Sequence, residues 1–308
     1  MSVPTVAPDV GVAAVEPKVR TRRVGGKPGA GNAVVPTLFM LAFLVYFLMP
    51  LGWLFIASTK SLDDLFSSFG LWFSHFNLSD NISETFSKDD GVYLDWLRNT
   101  LMYSFVSAGG AALLAAAAGY GFAKYDFRGK GLLFWFVLGS VMVPTTALAI
   151  PTYLMFSKLG FTNNPLSVIL PSLVSPFGIY LMRIYAEASV PSDLIEAARI
   201  DGAGELLIFR RIAFRLLAPG FVTVLLFTFV ATWNNYFLPL VMLSEPKWYP
   251  LTVGLAQWNA QATAGGGATA SFNTVITGAL ISIVPLILAF TFLQRYWQSG
   301  LGSGGVKG

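Results

Sequence analysis

The chain has 308 residues, of which 55% are hydrophobic and only 12% are charged, and its mean hydropathy is +0.63. Because soluble domains carry about 25% charged residues, this composition excludes an ordinary soluble protein and favours the bilayer as the solvent. The net charge of +4 gives no support to nucleic-acid binding, and the lack of cysteine excludes disulfides, thiolate metal sites and cysteine nucleophiles.

The N-terminal part of the chain changes from polar to apolar at residue 34. Residues 1–33 are basic and rich in Gly, Pro and Val, which predicts a disordered tail. The apolar run at residues 34–57 is long enough to cross a hydrocarbon core of about 30 Å. It is too long for the core of a signal peptide and has no small-residue cleavage motif after it, so we predict a first membrane span.

A polar connection at residues 58–95 follows the first span and holds seven of the 16 acidic residues and the only histidine, His75, which we expect to be structural. Further apolar runs predict spans at residues 96–122, 132–155, 166–184, 219–243 and 272–293. The expected fold is therefore all-α, with six transmembrane helices in a membrane domain at residues 34–298 and a Gly-rich tail at residues 299–308.

Two features of these spans bear on packing. The second span is built almost entirely of small residues between positions 107 and 119, which predicts close approach of another helix, either within this chain or within a complex. The third and fourth spans contain four prolines, which act either as hinges or as static kinks: Pro144, Pro151, Pro171 and Pro176.

A polar island at residues 185–216 separates the fourth and fifth spans. Its sequence Glu196-Ala197-Ala198 leads to Gly202, which predicts a short helix that ends at a glycine. Fifteen of the 20 Lys and Arg residues fall on the same side of the six spans as this island and the N-terminus. By the positive-inside rule, both termini and the island are predicted to be cytoplasmic.

Known catalytic patterns are missing from the sequence. It has no GxxxxGK[ST] phosphate-binding loop, no GxSxG nucleophile elbow and no HExxH metal motif, and its spans hold no chain of carboxylates. We therefore expect no catalytic residue, no metal site and no cofactor in this chain. The sequence therefore predicts a protein that forms a path through the membrane and does not itself supply the energy for movement along that path.

The polar island resembles the EAA loop of bacterial ABC importer permeases, in which the Glu-Ala-Ala sequence is followed by a glycine and later by Ile212. Other segments narrow the resemblance to the smaller six-span permease of maltose-type sugar importers, and the ordered set covers nearly all of residues 34–308. These segments are Ala57-Ser58-Thr59-Lys60, Asn99-Thr100-Leu101, Phe122-Ala123-Lys124-Tyr125, Ser175-Pro176-Phe177-Gly178, Asp201-Gly202-Ala203, Trp233-Asn234, Leu251-Thr252-Val253-Gly254-Leu255, Gln294-Arg295-Tyr296 and Gly305-Val306-Lys307-Gly308. One departure is Phe214-Arg215, which stands where the family usually has Leu-Pro.

The resemblance implies a type I ABC importer permease fold and a set of partners. Such a chain pairs with a second, homologous permease subunit in the lipid bilayer. Two copies of a cytosolic ATPase, which bind the ATP and Mg, attach beneath, and an extracytoplasmic sugar-binding protein docks above. The expected function is translocation of a sugar, a di- or oligosaccharide, by alternating access. The alternative is a membrane scaffold or sensor of similar descent that transports nothing.

Three groups of site residues follow from the resemblance and the residue chemistry. The residues expected to couple to the ATPase lie in the island: Glu196, Ala197, Ala198, Asp201, Gly202 and Ala203. The candidates for the translocation pathway are polar or aromatic residues of the fifth span: Trp233, Asn234, Asn235 and Tyr236. The polar loop at residues 244–271 is expected either to face the binding protein or to be a flexible connector, with these candidates: Trp258, Asn259, Gln261, Gly265, Gly266 and Gly267.

Overall fold

The computed structural model describes residues 30–264 and 271–302, with side chains at residues 34–264 and 271–294. The predicted disordered tail, apart from residues 30–33, and the last six residues lie outside the described residues. Within the described residues the secondary structure is entirely helical. The chain divides after Pro50 into two units.

Thirteen α-helices follow one another in the described part of the chain, together with a π-helical turn at Phe209–Ala213 and a 3-10 turn at Pro246–Trp248. The α-helices are α1 (Ala30–Ser58), α2 (Leu62–Ser67), α3 (Leu78–Lys124), α4 (Lys130–Val141), α5 (Thr145–Lys158), α6 (Leu166–Ser172), α7 (Pro176–Ser189), α8 (Ser192–Ile200), α9 (Glu205–Ile208), α10 (Phe214–Trp233), α11 (Phe237–Met242), α12 (Leu251–Ala264) and α13 (Phe272–Gly302).

Five helical stretches among the described residues are long and apolar enough to cross a membrane, and the number is six if one bent pair of helices is counted as a single span. The five are Val34–Ser58, Leu78–Lys124, Leu166–Ser189, Glu205–Trp233 and Phe272–Gln294. The all-α fold with up to six spans is thus confirmed, and each predicted span has a helical counterpart.

The third predicted span, residues 132–155, is not one straight helix. It is the pair α4 and α5, which meet at an angle of 106° across residues 142–144. Pro144 has no backbone N–H and disfavours helical geometry at the residue before it, so α4 ends and a new helix begins directly after the proline. The structure therefore has a sharp bend at Pro144.

Two segments predicted as polar connections are largely helical. In the first connection, helix α3 begins at Leu78 and holds four non-helical residues from Lys88 to Gly91, so two helices join there before the apolar span. In the loop at residues 244–271, α12 occupies 14 residues. Its buried residues Leu251, Gly254, Trp258 and Ala262 recur at three- and four-residue intervals, which is the helical pattern that the sequence interpretation missed.

The core of the second unit is the small-residue part of α3, which packs against α7 and α10. Ala112, Ala115 and Ala116 are fully buried there with Met182 of α7 and Val224 of α10. At Gly119 an added Cβ atom would lie only 2.6 Å from the Cβ atom of Met182. Close packing of the second span is thus confirmed, and the helix that approaches it belongs to the same chain.

Candidate functional site

The Glu-Ala-Ala sequence forms the short helix α8, as predicted. Asp201 ends the helix and Gly202 follows in a left-handed conformation with φ of +81°, which an L side chain rarely adopts. The backbone N–H groups of Asp201 and Ala203 donate to the carbonyls of Ala197 and Ala198, both at 3.0 Å. The glycine therefore lets the chain turn while the last carbonyls of the helix stay hydrogen-bonded.

Helix α8 is held by one narrow face and presents the rest to solvent. Ile195 and Ala198 are buried in the core cluster that contains α3, α7 and α10, whereas Glu196 and Ala197 are exposed. Beside them, Ile200 is 86% exposed and Leu206, in α9, is 79% exposed. A charged group, small side chains and two apolar side chains of α8 and α9 are thus left uncovered by the described part of the chain.

A hydrogen-bonded group of three side chains ties this surface to the end of α3. The Arg199 guanidinium donates to Glu205 Oε1 at 2.7 Å, and the Tyr125 hydroxyl donates to Glu205 Oε2 at 2.5 Å. Tyr125 is the residue that caps α3, so the tie joins the second span to α8 and α9. The bond from Arg199, together with that from Tyr125, holds the pKa of the Glu205 carboxyl below its usual value.

The lowered pKa of Glu205 determines how the stabilisation from its two hydrogen bonds depends on pH. Because the folded protein favours the ionised carboxylate of Glu205, the stabilisation is present at neutral pH and is lost as the pH falls through the lowered pKa. Burial of the Tyr125 hydroxyl and its bond to Glu205 raise the pKa of Tyr125, so the phenol remains protonated and can donate. The tie is therefore intact at physiological pH.

The sequence interpretation did not include Tyr125 and Glu205 among the site residues. The two residues are 80 positions apart, and no local pattern links a tyrosine at the end of one span to an acid beyond the island. The only sequence signal is that both flank polar turns next to basic residues. Their pairing becomes visible only in the fold, where the end of α3 lies next to the start of α9.

The departure Phe214-Arg215 coincides with uninterrupted helix. From Glu205 to Trp233 the chain runs through α9, a π-helical turn and α10 without a break. A proline at position 215 would lack the N–H group that an interior helix residue donates. The structure therefore connects α9 directly to the fifth span.

The pathway candidates lie where that span ends. Helix α10 stops at Trp233, and Asn234 and Asn235 form a break before α11, which corrects the prediction of a single span at residues 219–243. The Trp233 ring is buried and stacks on Phe229 with centroids 5.6 Å apart, so it packs in the core of this chain. The side chains of Asn234 and Tyr236 are exposed, and Asn235 is half-buried.

The candidates of the polar loop at residues 244–271 also divide into a buried residue, exposed residues and residues outside the described part of the chain. The Trp258 ring is buried against Tyr93 and Trp96, and its Nε1 donates to the Asp89 carboxylate at 2.8 Å. The sequence predicts a surface position for this tryptophan, whereas the structure buries it. Its aromatic bulk and helical spacing make it a core residue. Asn259 and Gln261 are exposed on α12. The glycines Gly265, Gly266 and Gly267 lie outside the described residues.

The sequence and the fold both match known transport proteins. The family described as binding-protein-dependent transport system inner membrane component matches residues 93–302. The chain is 34% identical over 270 residues to the arabinooligosaccharides transport system permease protein AraQ of Halalkalibacterium halodurans, which covers 87% of this chain and 93% of the relative. It is 30% identical over 281 residues to the maltodextrin transport system permease protein MdxG of Bacillus subtilis, which covers 90% of this chain and 97% of the relative.

A solved structure supports the same fold. A chain in the crystal structure of a bacterial ABC transporter involved in the import of the acidic polysaccharide alginate superposes with a TM-score of 0.76 and 21% sequence identity. The match covers 89% of this chain and 99% of that chain, and at this identity it speaks for the fold alone. The chain therefore belongs to the family of inner-membrane components of binding-protein-dependent transport systems and is a permease component of an ABC importer in the cell membrane.

Proposed function

We propose that this permease carries a di- or oligosaccharide, delivered by an extracytoplasmic binding protein, across the membrane by alternating access driven by a separate ATPase. The relatives named for arabino-oligosaccharides and for maltodextrin support a sugar as the substrate. The proposed coupling to an ATPase is supported mainly by one observation, the uncovered surface of α8 and α9. It offers Glu196 and the apolar Ile200 and Leu206 to a partner.

The proposed assembly contains this chain and a second, homologous permease subunit as a heterodimer, two copies of a cytosolic ATPase and one binding protein. ATP and Mg belong to the ATPase, because this sequence has no phosphate-binding loop of the Walker type. In this assembly the chain is not an enzyme. The charge asymmetry of Lys and Arg supports cytoplasmic termini and a cytoplasmic island at residues 185–216.

Each coupling residue has a physical role in this proposal. Glu196 offers a charge to a basic group of the ATPase, and Ala197 allows close contact between α8 and its partner. Gly202 ends the helix in a conformation that larger residues resist, with Asp201 and Ala203 on either side. Ala198 packs α8 onto the core, so a push on α8 is transmitted to the spans.

The binding-protein side of the proposal rests on α12 and the segment that follows it. The exposed amides of Asn259 and Gln261 suit hydrogen bonds to sugar hydroxyls or to a docked protein. Gly265, Gly266 and Gly267 complete the candidate segment in sequence only. Trp258 contributes by fixing α12 against α3.

The pathway proposal makes a testable prediction at the break after α10. Irregular backbone at membrane depth is tolerated where it is buried in protein or lines a water-filled cavity. We expect Asn234→Cys, in this naturally cysteine-free chain, to react with a water-soluble thiol reagent in at least one transport state. Thr232→Cys, at a buried position on the same helix, is the matched control and should be inert. Lack of reaction at position 234 in every state would contradict a cavity-facing role.

The main test is reconstitution of the whole transporter in proteoliposomes with its binding protein. We expect ATP-dependent accumulation of labelled arabino-oligosaccharide or maltodextrin, and ATP hydrolysis that the sugar-loaded binding protein stimulates. Omission of this permease should abolish both. A scaffold or sensor would bind the ATPase and respond to sugar without any accumulation inside the vesicles, and that result would replace the transport proposal.

A further inference from the structure

The connection after the first span forms a closed loop at residues 60–77. The backbone N–H of Asn77 donates to the carbonyl of Thr59 at 2.7 Å, so the loop returns to the point where it began. The buried amide of Asn81 donates to the carbonyls of Ser58 and Lys60, both at 2.8 Å. These bonds hold together the neck of the loop, where the chain enters at residues 58–60 and leaves at residues 77–81. Such compact loops with adjoining ends are Ω-loops. This one is fixed at the end of α1.

A buried lysine supports the loop from within. Lys60 is buried, and its Nζ donates to the Ser68 hydroxyl at 2.8 Å and to the Phe69 carbonyl at 2.7 Å. A buried ammonium group is costly unless its hydrogen bonds are satisfied. These two bonds therefore favour one arrangement of the loop, with its polar contacts turned inward.

The outward side of the loop is aromatic. The exposed fractions of the four outermost rings are 70% for Phe66, 73% for Phe69, 70% for Trp72 and 69% for Phe76. An apolar cavity of about 250 Å³, lined in part by Trp53 and Phe272, adjoins them. Concentrated aromatic surface of this kind marks a contact with another apolar phase or partner.

The position of the loop identifies that phase as the membrane. The first apolar stretch, Val34–Ser58, has a mean hydropathy of 2.2 over its best window, and the closed neck keeps the loop at its end. That end is where hydrocarbon gives way to water; Trp is enriched at this boundary, and Phe is common on the apolar face of segments that lie in it. We propose that residues 62–76 are an interfacial anchor whose aromatic rings lie among the lipid headgroups.

The charges of the loop define the lipid chemistry. Residues 61–77 contain no Lys or Arg, and the acidic Asp63 is exposed on α2. Attraction to anionic lipids is therefore excluded as the main force, and the anchor works through apolar burial. Zwitterionic lipid alone should suffice. This inference is independent of the sugar that the transporter carries.

The absence of cysteine makes a direct depth measurement straightforward. Phe69→Cys and Trp72→Cys are spin-labelled in the assembled transporter in zwitterionic nanodiscs, with Asp63→Cys, at an exposed acidic position of α2, as the matched control. Collision rates with lipid-soluble O₂ and with a water-soluble nickel chelate are compared. We expect O₂ collisions to dominate at positions 69 and 72 and nickel collisions to dominate at position 63.

Two results would overturn the anchor. Equal access of the nickel chelate to positions 63, 69 and 72 would place the aromatic side in water. Shielding of positions 69 and 72 from both reagents would show that a protein partner covers them. The same pattern in nanodiscs with and without anionic lipid is expected. Contact with lipid that requires anionic headgroups would contradict attachment by apolar burial.

Discussion

Gly202→Asp should abolish sugar uptake while the permease stays in the membrane and its spans remain folded. At a φ of +81° a side chain strains the backbone, although an added Cβ atom would meet nothing within 4 Å among the described residues. The strain and the new carboxylate both fall on the surface beside α8 that we assign to the ATPase. Uptake in proteoliposomes and the amount of ATPase that co-purifies are the two measurements.

A matched control separates coupling from strain. Gly160, in the turn after α5, has a φ of +71° and also has nothing within 4 Å of an added Cβ atom. Gly160→Asp should therefore carry a similar backbone cost and leave uptake close to wild type. If both variants lose uptake equally, backbone strain alone explains the defect. Normal uptake by Gly202→Asp would refute the coupling role.

Glu196→Lys tests the same surface through charge. Glu196 is exposed on α8, and its side chain takes part in none of the hydrogen bonds or ion pairs found among the described residues, so its reversal should not unfold the permease. We expect the variant to lose ATPase binding and uptake together. The neighbouring tie of Arg199, Glu205 and Tyr125 should survive, because Glu196 has no part in it.

Composition and periodicity were sufficient to predict the membrane-spanning helices, but not α12 or the start of α3. Long apolar runs identify spans because every backbone group must be hydrogen-bonded within the segment in lipid. The start of α3 could not be found in this way, since Leu78 to Ser87 are mostly polar and the helix is held by tertiary bonds such as that from Asn273 to Asn81. The bend at Pro144 was signalled by its proline, but its angle of 106° depends on packing.

The site was predictable where it is local in sequence. The order Glu196-Ala197-Ala198 to Gly202 specifies a short helix and its end, and the structure has both. Burial of a side chain depends on residues far away in the sequence. Trp233 and Trp258 stand next to polar residues, which suggested a ligand-facing role, yet α3 and the helices packed on it enclose both rings. What touches the exposed surface of α8 depends on another chain, and therefore on information outside this sequence.

Gly119→Ala should destabilise the permease. The added Cβ atom would lie 2.6 Å from the Cβ atom of Met182 and 2.7 Å from the backbone nitrogen of Arg183, and no real Cβ contact is that short. The contacting atoms of α7 belong to its backbone and to a Cβ atom, not to the end of a flexible side chain. They cannot rotate away, so α3 and α7 must move apart. Overpacking of this kind costs about 1–3 kcal/mol. The measurement is the unfolding midpoint in a denaturant titration in mixed micelles.

Gly121→Ala, two residues further along α3, is the matched control. Its added Cβ atom meets nothing within 4 Å, so it gains the same helix propensity as Gly119→Ala without the contact. We expect its unfolding midpoint to equal or exceed that of wild type, while the midpoint of Gly119→Ala falls. Since α3 also carries the Tyr125 bond to Glu205, separation of α3 from α7 should weaken the link from α8 to the spans. Equal midpoints for the two variants would show that the close packing of α3 and α7 is not needed for stability.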